Sequence, residues 1–208
     1  MTRSRHWDEV YGAREEDRLT WFEASPDLSL SLIERHRPPE SAVIDVGGGT
    51  SRLVDELVRR GIGPVTVLDL SRVALEASRS RLGQQADAVD WQVADITRWQ
   101  PARSYGVWHD RAVFHFLTET ADRAAYVAAL DEALETDGVA IIMTFAEDGP
   151  ETCSGLPIRR YSPDGLVAEI DRHAPGRFDL VERRRHLHRT PMGRSQSFQA
   201  SVLRRRNA

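Results

Sequence analysis

A regular alternation of short apolar runs and amphipathic helical segments constrains this chain most strongly. It begins near residue 42 and continues to about residue 143. The apolar runs are rich in β-branched residues, and the segments between them carry apolar residues at helical spacing. Strands that alternate with helices form a parallel sheet with helices on both faces, so we expect an α/β fold. The predicted strands are residues 42–46, 65–68, 89–93, 105–108 and 139–143, and the clearest helices are residues 51–60, a helix capped by Ser71, and residues 120–135, with Gly138 as a stop.

The two ends of the chain depart from this alternation. Residues 1–40 are expected to form a helical cap, and the proline pair at 38–39 separates them from a main domain over residues 41–208. Near the other end, Ser162 and Pro163 predict the start of one more helix. Residues 178–184 and 197–203 then predict two strands joined as an antiparallel hairpin at the edge of the sheet.

Composition excludes several classes of protein. The net charge is −4 and all 28 basic residues are arginine, so nucleic acid is not an expected partner and lysine-based covalent chemistry is excluded. Cys153 is the single cysteine, which rules out an intrachain disulfide. The apolar runs are too short to cross a membrane and residues 1–11 are polar. We expect a cytoplasmic protein without a membrane partner; no feature specifies its oligomeric state.

The first predicted strand runs into a glycine turn that carries most of the chemical information. Gly47 and Gly49 let the backbone take positive φ and let a ligand approach the main chain. Such a turn holds a dinucleotide, a phosphate or the methionine part of S-adenosylmethionine. A dinucleotide turn needs a third glycine where this chain has Arg52, and a phosphate loop needs a lysine. Asp45, inside the strand, instead suits a ligand with a positively charged amine or sulfonium.

Carboxylates stand at the ends of the next three predicted strands. Asp69 follows the glycine turn by about 20 residues, where a carboxylate can accept both hydroxyls of a ribose. Asp95 is placed to accept an adenine amine, with Leu70 and Ile96 clamping the ring. Asp110 ends the fourth strand. Ligands of open α/β sheets bind at this carboxyl edge, so we expect the site there.

Together, the run from Asp45 to Thr50, Asp69, the pair Asp95-Ile96 and the pair His109-Asp110 resemble the class I S-adenosylmethionine-dependent methyltransferases. The resemblance covers residues 40–145 and implies a Rossmann-like, seven-stranded, mostly parallel sheet with helices on both faces and a C-terminal antiparallel hairpin. The stretch from Trp108 to Leu117 and the opening His6 to Tyr11 are similar to a bacterial branch of small methyltransferase-domain proteins, which is distantly similar to protein-lysine methyltransferases, including the type acting on citrate synthase. Ser51 departs from a glycine common in the family.

The resemblance implies S-adenosylmethionine as cofactor and assigns residue roles. Gly47 and Gly49 would contact its methionine portion, with Thr50 beside them, while Asp69 would hold the ribose and Asp95 the adenine amine. Trp7 and Tyr11 would cover the methionine end. The predicted cofactor-binding set is Trp7, Tyr11, Asp45, Gly47, Gly49, Thr50, Asp69, Leu70, Asp95 and Ile96.

Three residues near the fourth strand are candidates for the chemical step. Asp110 is expected to orient a group or contact the cofactor, and His109 or His115 to serve as a base. Residues 146–161 form a long loop that we expect to line the acceptor pocket. His186 and His188 share one face of a strand, but no further ligands are visible in the sequence, so we expect no metal site.

The sequence predicts a methyltransferase that acts on an unidentified small-molecule or protein acceptor. Two alternatives stay open. One is a non-catalytic protein that binds S-adenosylmethionine, since no acceptor is identified. The other is an NAD-dependent Rossmann reductase, against which the absent third glycine and the absent Tyr-x-x-x-Lys motif argue.

Overall fold

A twisted seven-stranded sheet forms the centre of the protein; the computed structural model describes residues 3–207. Its strands are β1 Val43–Val46, β2 Val65–Asp69, β3 Val89–Val93, β4 Tyr105–Arg111, β5 Leu134–Phe145, β8 Phe178–Arg189 and β9 Ser195–Arg205. The strand order is β3-β2-β1-β4-β5-β9-β8. The first five strands in the chain are parallel, and β9 lies antiparallel between β5 and β8. The expected fold class, with its C-terminal hairpin, is confirmed.

Helices cover both faces of the sheet and enclose two apolar cores. The helices are α1 Arg3–Gly12, α2 Asp27–His36, α3 Leu53–Arg59, α4 Arg72–Leu82, α5 Thr120–Ala133 and α6 Pro163–His173. One core packs α5 and α6 against the sheet around Trp108, and the other packs α2, α3 and α4 around Ile141. The hydroxyls of Ser71 and Ser162 accept backbone N–H groups at the starts of α4 and α6, as predicted.

The junction between α5 and β5 differs from the sequence prediction. The helix ends at Ala133, and β5 already begins at Leu134, which pairs with Tyr105. The next partners are Val107 and Val139, so residues 135–138 form a bulge. Gly138 does not stop a helix. It lies within the strand. The position requires glycine, because a Cβ there would press on the backbone oxygens of Glu135 and Gly106.

The segments at the carboxyl edge of the sheet are less regular. Between α1 and α2 the chain is mostly loop, with one 3-10 turn at Glu16–Arg18. The predicted loop at 146–161 contains a small hairpin, β6 Thr152–Cys153 and β7 Leu156–Pro157. Within residues 3–207, no helix has the length and apolar character needed to cross a membrane.

Candidate functional site

A cavity of about 240 Å³ opens at the carboxyl edge of the parallel strands. The ends of β1, β2 and β4 and the segment after β3 form its floor, and α1 and the β6–β7 hairpin stand over it. This is the edge at which ligands of open α/β sheets bind. The structure brings together seven predicted cofactor residues on its wall, namely Trp7, Tyr11, Gly47, Asp69, Leu70, Asp95 and Ile96.

The glycine turn after β1 is shaped for close approach to the main chain. The N–H groups of Gly47 and Gly48 donate to the Leu68 carbonyl, which ties the turn to β2. Gly47 has φ +70° and Gly49 has φ +48°, and both values disfavour residues with a Cβ. An added Cβ at Gly47 would overlap the side chain of Val113, and one at Gly49 would overlap the Tyr11 hydroxyl. Gly47 lines the cavity, whereas Gly49, which was also predicted to contact the ligand, is not among its lining residues.

Asp69 places a buried carboxylate on the cavity wall at the end of β2. The backbone N–H of Ser71 donates to its Oδ1 at 2.7 Å, and the residue is 7% exposed. Burial, helped by the negative charges of Asp45 and Asp8, raises the pKa of Asp69 to about 7. A carboxylate in this setting gains from ligand hydroxyls that donate to it.

Past β3, Asp95, Ile96 and Leu70 lie along the next part of the wall. The backbone N–H and the hydroxyl of Thr97 both donate to Asp95 Oδ1, at 2.9 and 2.7 Å. These two bonds fix the orientation of the half-buried carboxylate. Ile96 is buried and gives the wall an apolar surface beside it. An apolar slot with a carboxylate at its edge is suited to a nucleobase that carries an amino group.

Helix α1 crosses the mouth of the cavity. Asp8 accepts the Ser71 hydroxyl at 2.7 Å, which fastens the helix to the start of α4. The Trp7 ring packs edge-on against Trp21 and Phe116, with ring centroids 5.9 and 5.1 Å apart. The same helix carries Tyr11, whose hydroxyl reaches Gly49. The two aromatic residues of α1 thus form part of the cavity wall.

His109 and Asp45 face each other inside the protein. His109 Nδ1 lies 2.7 Å from Asp45 Oδ1, and its Nε2 lies 2.9 Å from the Ser29 hydroxyl. Both residues are about 2% exposed and neither lines the cavity. The structure therefore does not place His109 as a base for a bound acceptor. Asp45 Oδ2, beside Gly48, is buried without a hydrogen-bond partner.

Asp110 supports a neighbouring segment instead of facing the cavity. Its carboxylate accepts the backbone N–H groups of Val113 and Phe114, at 2.7 and 3.0 Å, and the Tyr126 hydroxyl at 2.7 Å. It is fully buried, and burial raises its pKa to about 6. Asp110 is not among the residues that line the cavity. Asp110 positions Val113 and its neighbours, which do line the cavity.

His115 and Thr50 also lie away from the cavity. His115 is fully buried, and its Nδ1 accepts the Phe145 backbone N–H at 3.3 Å. Burial lowers the pKa of His115 to about 3, so the ring is neutral at pH 7 and is a weak base. Thr50 lines a separate cleft with Gly12, on the other side of Tyr11.

The end of the cavity beyond Gly47 contains residues that the sequence did not single out, together with Cys153, Leu156 and Pro157 of the 146–161 loop that was expected to line the acceptor pocket. It is mainly aromatic and aliphatic and carries two polar groups. The Arg111 guanidinium donates to the Trp21 carbonyl and pairs with Glu23, while the Gln196 side-chain oxygen is buried without a partner. Tertiary contacts between distant segments bring these residues together. They are Trp21, Arg111, Phe116, Phe145, Cys153, Leu156, Pro157, Gln196 and Phe198.

Comparison with known proteins agrees with this geometry. Residues 43–138 match the family model described as a methyltransferase domain. Mouse EEF1A lysine methyltransferase 2 is 27% identical in an alignment 191 positions long that covers 77% of this chain and 76% of that protein. The solved 1,6-didemethyltoxoflavin-N1-methyltransferase of Burkholderia thailandensis superposes with a TM-score of 0.74 at 19% identity, covering 98% of this chain and 88% of the other. A methyltransferase from Methanosarcina mazei gives 0.72 at 12%, covering 90% and 100%.

The fold is an open α/β sheet with a cavity at its carboxyl edge, where proteins of this class bind their ligands. The domain match is more specific: residues 43–138 match a methyltransferase domain of the class I S-adenosylmethionine-dependent type, and the protein is an enzyme that uses S-adenosylmethionine.

The residues that line the cavity fit this cofactor. Gly47 lies in a turn that leaves no room for a Cβ, and Asp69 offers a buried carboxylate to hydroxyl donors.

Proposed function

We propose that the enzyme methylates a small organic acceptor with a flat or apolar body, bound at the aromatic end of the cavity. The enclosed, aromatic lining of that end carries this proposal. The one charged group among its aromatic and aliphatic side chains, Arg111, is already paired with Glu23. A neutral acceptor therefore matches this surface better than a charged one.

The cofactor site in this proposal uses the predicted carboxylates and glycines. Asp69 accepts the ribose hydroxyls, and Asp95 accepts the adenine amine between Leu70 and Ile96. The main chain at Gly47 and Gly49 borders the methionine portion. When bound, S-adenosylmethionine supplies a methyl group already activated by a sulfonium.

The chain contributes alignment and water exclusion to the methyl transfer. Trp7 and Tyr11 cover the cavity from α1, and the β6–β7 hairpin closes it from the other side. In this proposal residues 1–40 act as the cap of the site. Since neither His109 nor His115 lines the cavity, we assign no histidine as base. An acceptor with a free lone pair would need no base from these residues, because S-adenosylmethionine would supply an already activated methyl group.

A protein lysine is the second candidate acceptor. The similarity to mouse EEF1A lysine methyltransferase 2 favours it, because that relative matches over most of both chains. A lysine side chain is long and narrow, with an apolar stem, and the aromatic walls would suit that stem. The unpartnered Gln196 oxygen would accept an N–H of either kind of acceptor.

A size-separated labelling experiment distinguishes the two acceptors. The enzyme is incubated with an extract and methyl-labelled S-adenosylmethionine, and the products are divided into a protein fraction and a small-molecule fraction. The proposal predicts label in small molecules. Label in protein alone would favour the lysine alternative, and no transfer to either, with cofactor bound, would favour a non-catalytic binding protein. Asp69→Ala is the control for enzyme-dependent label.

Calorimetry separates the methyltransferase from the remaining alternative, a reductase. Wild-type protein should bind S-adenosylmethionine and S-adenosylhomocysteine but not NAD. Binding of NAD alone would contradict the assignment. In Asp69→Ala the affinity for both sulfur nucleosides should fall markedly, because the variant lacks the carboxylate expected to accept the ribose hydroxyls.

A further inference from the structure

A second cluster of ligating side chains lies outside the methyl-transfer cavity. It consists of Glu23, in the loop after α1, and His186 and His188 on β8, the edge strand of the sheet. Glu23 Oε1 lies 3.4 Å from His186 Nε2 and 3.4 Å from His188 Nδ1. The sequence showed only the histidine pair, because Glu23 is more than 160 residues away along the chain.

The tautomer of His188 makes the arrangement chemically specific. Its Nε2 lies 2.8 Å from the Thr20 carbonyl oxygen, which only accepts, so Nε2 carries the hydrogen. A neutral His188 then directs the lone pair of Nδ1 at the Glu23 carboxylate. Two acceptors 3.4 Å apart repel each other unless a proton or a metal ion lies between them. Metal-binding histidines typically donate their second ring nitrogen to a backbone carbonyl in this way.

The donor spacing fits a small divalent ion. Zinc binds nitrogen and oxygen ligands at about 2.0–2.1 Å, and tetrahedral geometry then separates neighbouring donors by roughly 3.4 Å. The three donor atoms here all lie within 4.8 Å of one another. His186 is partly exposed at a cleft that also contains Asp17 and Asp27, so a cation has an acidic entry route.

We propose that Glu23, His186 and His188 bind a divalent transition-metal ion of the zinc type. The ion fastens the loop that carries Trp21, part of the methyl-transfer cavity, to the edge strand β8. Arg111 is the competing cation, since its Nη2 lies 2.9 Å from the same Glu23 oxygen. When the metal binds, Glu23 Oε1 coordinates the ion, and Arg111 pairs with the other oxygen of the Glu23 carboxylate.

Titration of chelator-treated full-length protein with zinc chloride tests the site. We expect one zinc ion per chain, no binding of magnesium chloride, and an increase in melting temperature with zinc. Cobalt(II) chloride should give the visible absorption of a tetrahedral complex. His186→Asn changes a partly exposed ligand and should weaken zinc binding at least about 10-fold.

His36→Asn is the matched control. His36 also sits beside a glutamate, Glu182, at 2.6 Å, but belongs to no cluster of three ligands among the described residues. Its zinc affinity should equal that of wild type. Absence of one-to-one zinc binding, equal heats with magnesium, or unchanged zinc affinity in His186→Asn would each overturn the proposal and leave Glu23 as the partner of Arg111 and a protonated histidine only.

Discussion

Asp69 is a carboxylate that the fold buries without pairing it to a cation. Among residues 3–207, no salt bridge involves it, and the nearby charges of Asp45 and Asp8 are negative. Such a group destabilises a protein in its ionised form unless a ligand donates to it. In the proposed function, ligand hydroxyls would donate to this carboxylate and so link the free energy of folding to cofactor binding.

Asp69→Asn should stabilise the ligand-free protein at pH 8. The folded-state pKa is raised to about 7 from 3.8, so the folded state holds more protons between these values and wild-type stability falls as pH rises through that window. Since one pKa unit corresponds to about 1.4 kcal/mol, the gain at pH 8 is on the order of 2–4 kcal/mol. Urea unfolding at pH 8 and pH 4 measures it.

The difference should shrink towards pH 4, where wild type becomes protonated. Asp87→Asn, at an exposed position, serves as control and should change little at either pH. A loss of stability in Asp69→Asn at pH 8 would contradict this account of the burial penalty.

Cofactor affinity should rise with pH as the Asp69 carboxyl group ionises. Only the ionised carboxylate accepts two hydroxyl donors at full strength. With a pKa of about 7, roughly a tenth of the molecules are ionised at pH 6, so S-adenosylhomocysteine should bind up to about 10-fold more weakly at pH 6 than at pH 8. Calorimetry at both values measures the ratio. A flat profile in wild type would argue against contact with Asp69.

The glycine turn and its neighbours act at the scale of secondary-structure elements. Gly47→Ala combines a φ of +70° with overlap against Val113, whereas Gly61→Ala has a similar φ of +65° and open space around its Cβ. The pair separates strain from steric overlap. Gly61→Ala should lower stability by about 1 kcal/mol, and Gly47→Ala by more, with at least 10-fold weaker cofactor binding. Chemical denaturation and calorimetry measure both effects; equal behaviour would show that the turn is not a tight cradle.

Most elements were predictable because their signals are local. The strand ending at Val46 and the cap at Ser71 follow from apolar runs and capping chemistry within a few residues. The bulge before Val139 was not, since it depends on pairing with Tyr105 on another strand. Asp110 was placed correctly at a strand end, but its side-chain direction depends on Tyr126.

The whole molecule decides how the cavity is closed. Helix α1 has no buried residue and is held over the cavity by Asp8 and its aromatic side chains. Asp8→Ala removes the acceptor of the Ser71 hydroxyl and should release the helix. A hydrogen bond to a charged group is worth about 1.5–3 kcal/mol, so the dissociation rate of S-adenosylhomocysteine should increase about 10-fold. Stopped-flow tryptophan fluorescence measures the rate.

Glu9→Ala is the control. Among the described residues, the Glu9 carboxylate pairs with Arg5 of the same helix, so its loss should leave the dissociation rate unchanged. Equal rates for both variants and wild type would show that α1 does not cover the ligand.

The acceptor end of the cavity shows why sequence alone could not define it. Trp21, Phe145 and Phe198 come from a loop and two different strands, and no short motif connects them. The half of the cavity lined by Asp69 and Asp95 was more predictable, since these carboxylates follow consecutive strands. His109 and His115 were predicted to face the substrate from position alone, but packing turned both rings inward.

A crystal structure with S-adenosylhomocysteine tests the central claim most directly. The account predicts the nucleoside in the cavity at the carboxyl edge, with its ribose hydroxyls hydrogen-bonded to Asp69 and its sulfur beyond Gly47 towards the aromatic end. A cavity that remains empty in crystals grown at saturating ligand, or a nucleoside bound with its ribose away from Asp69, would contradict it.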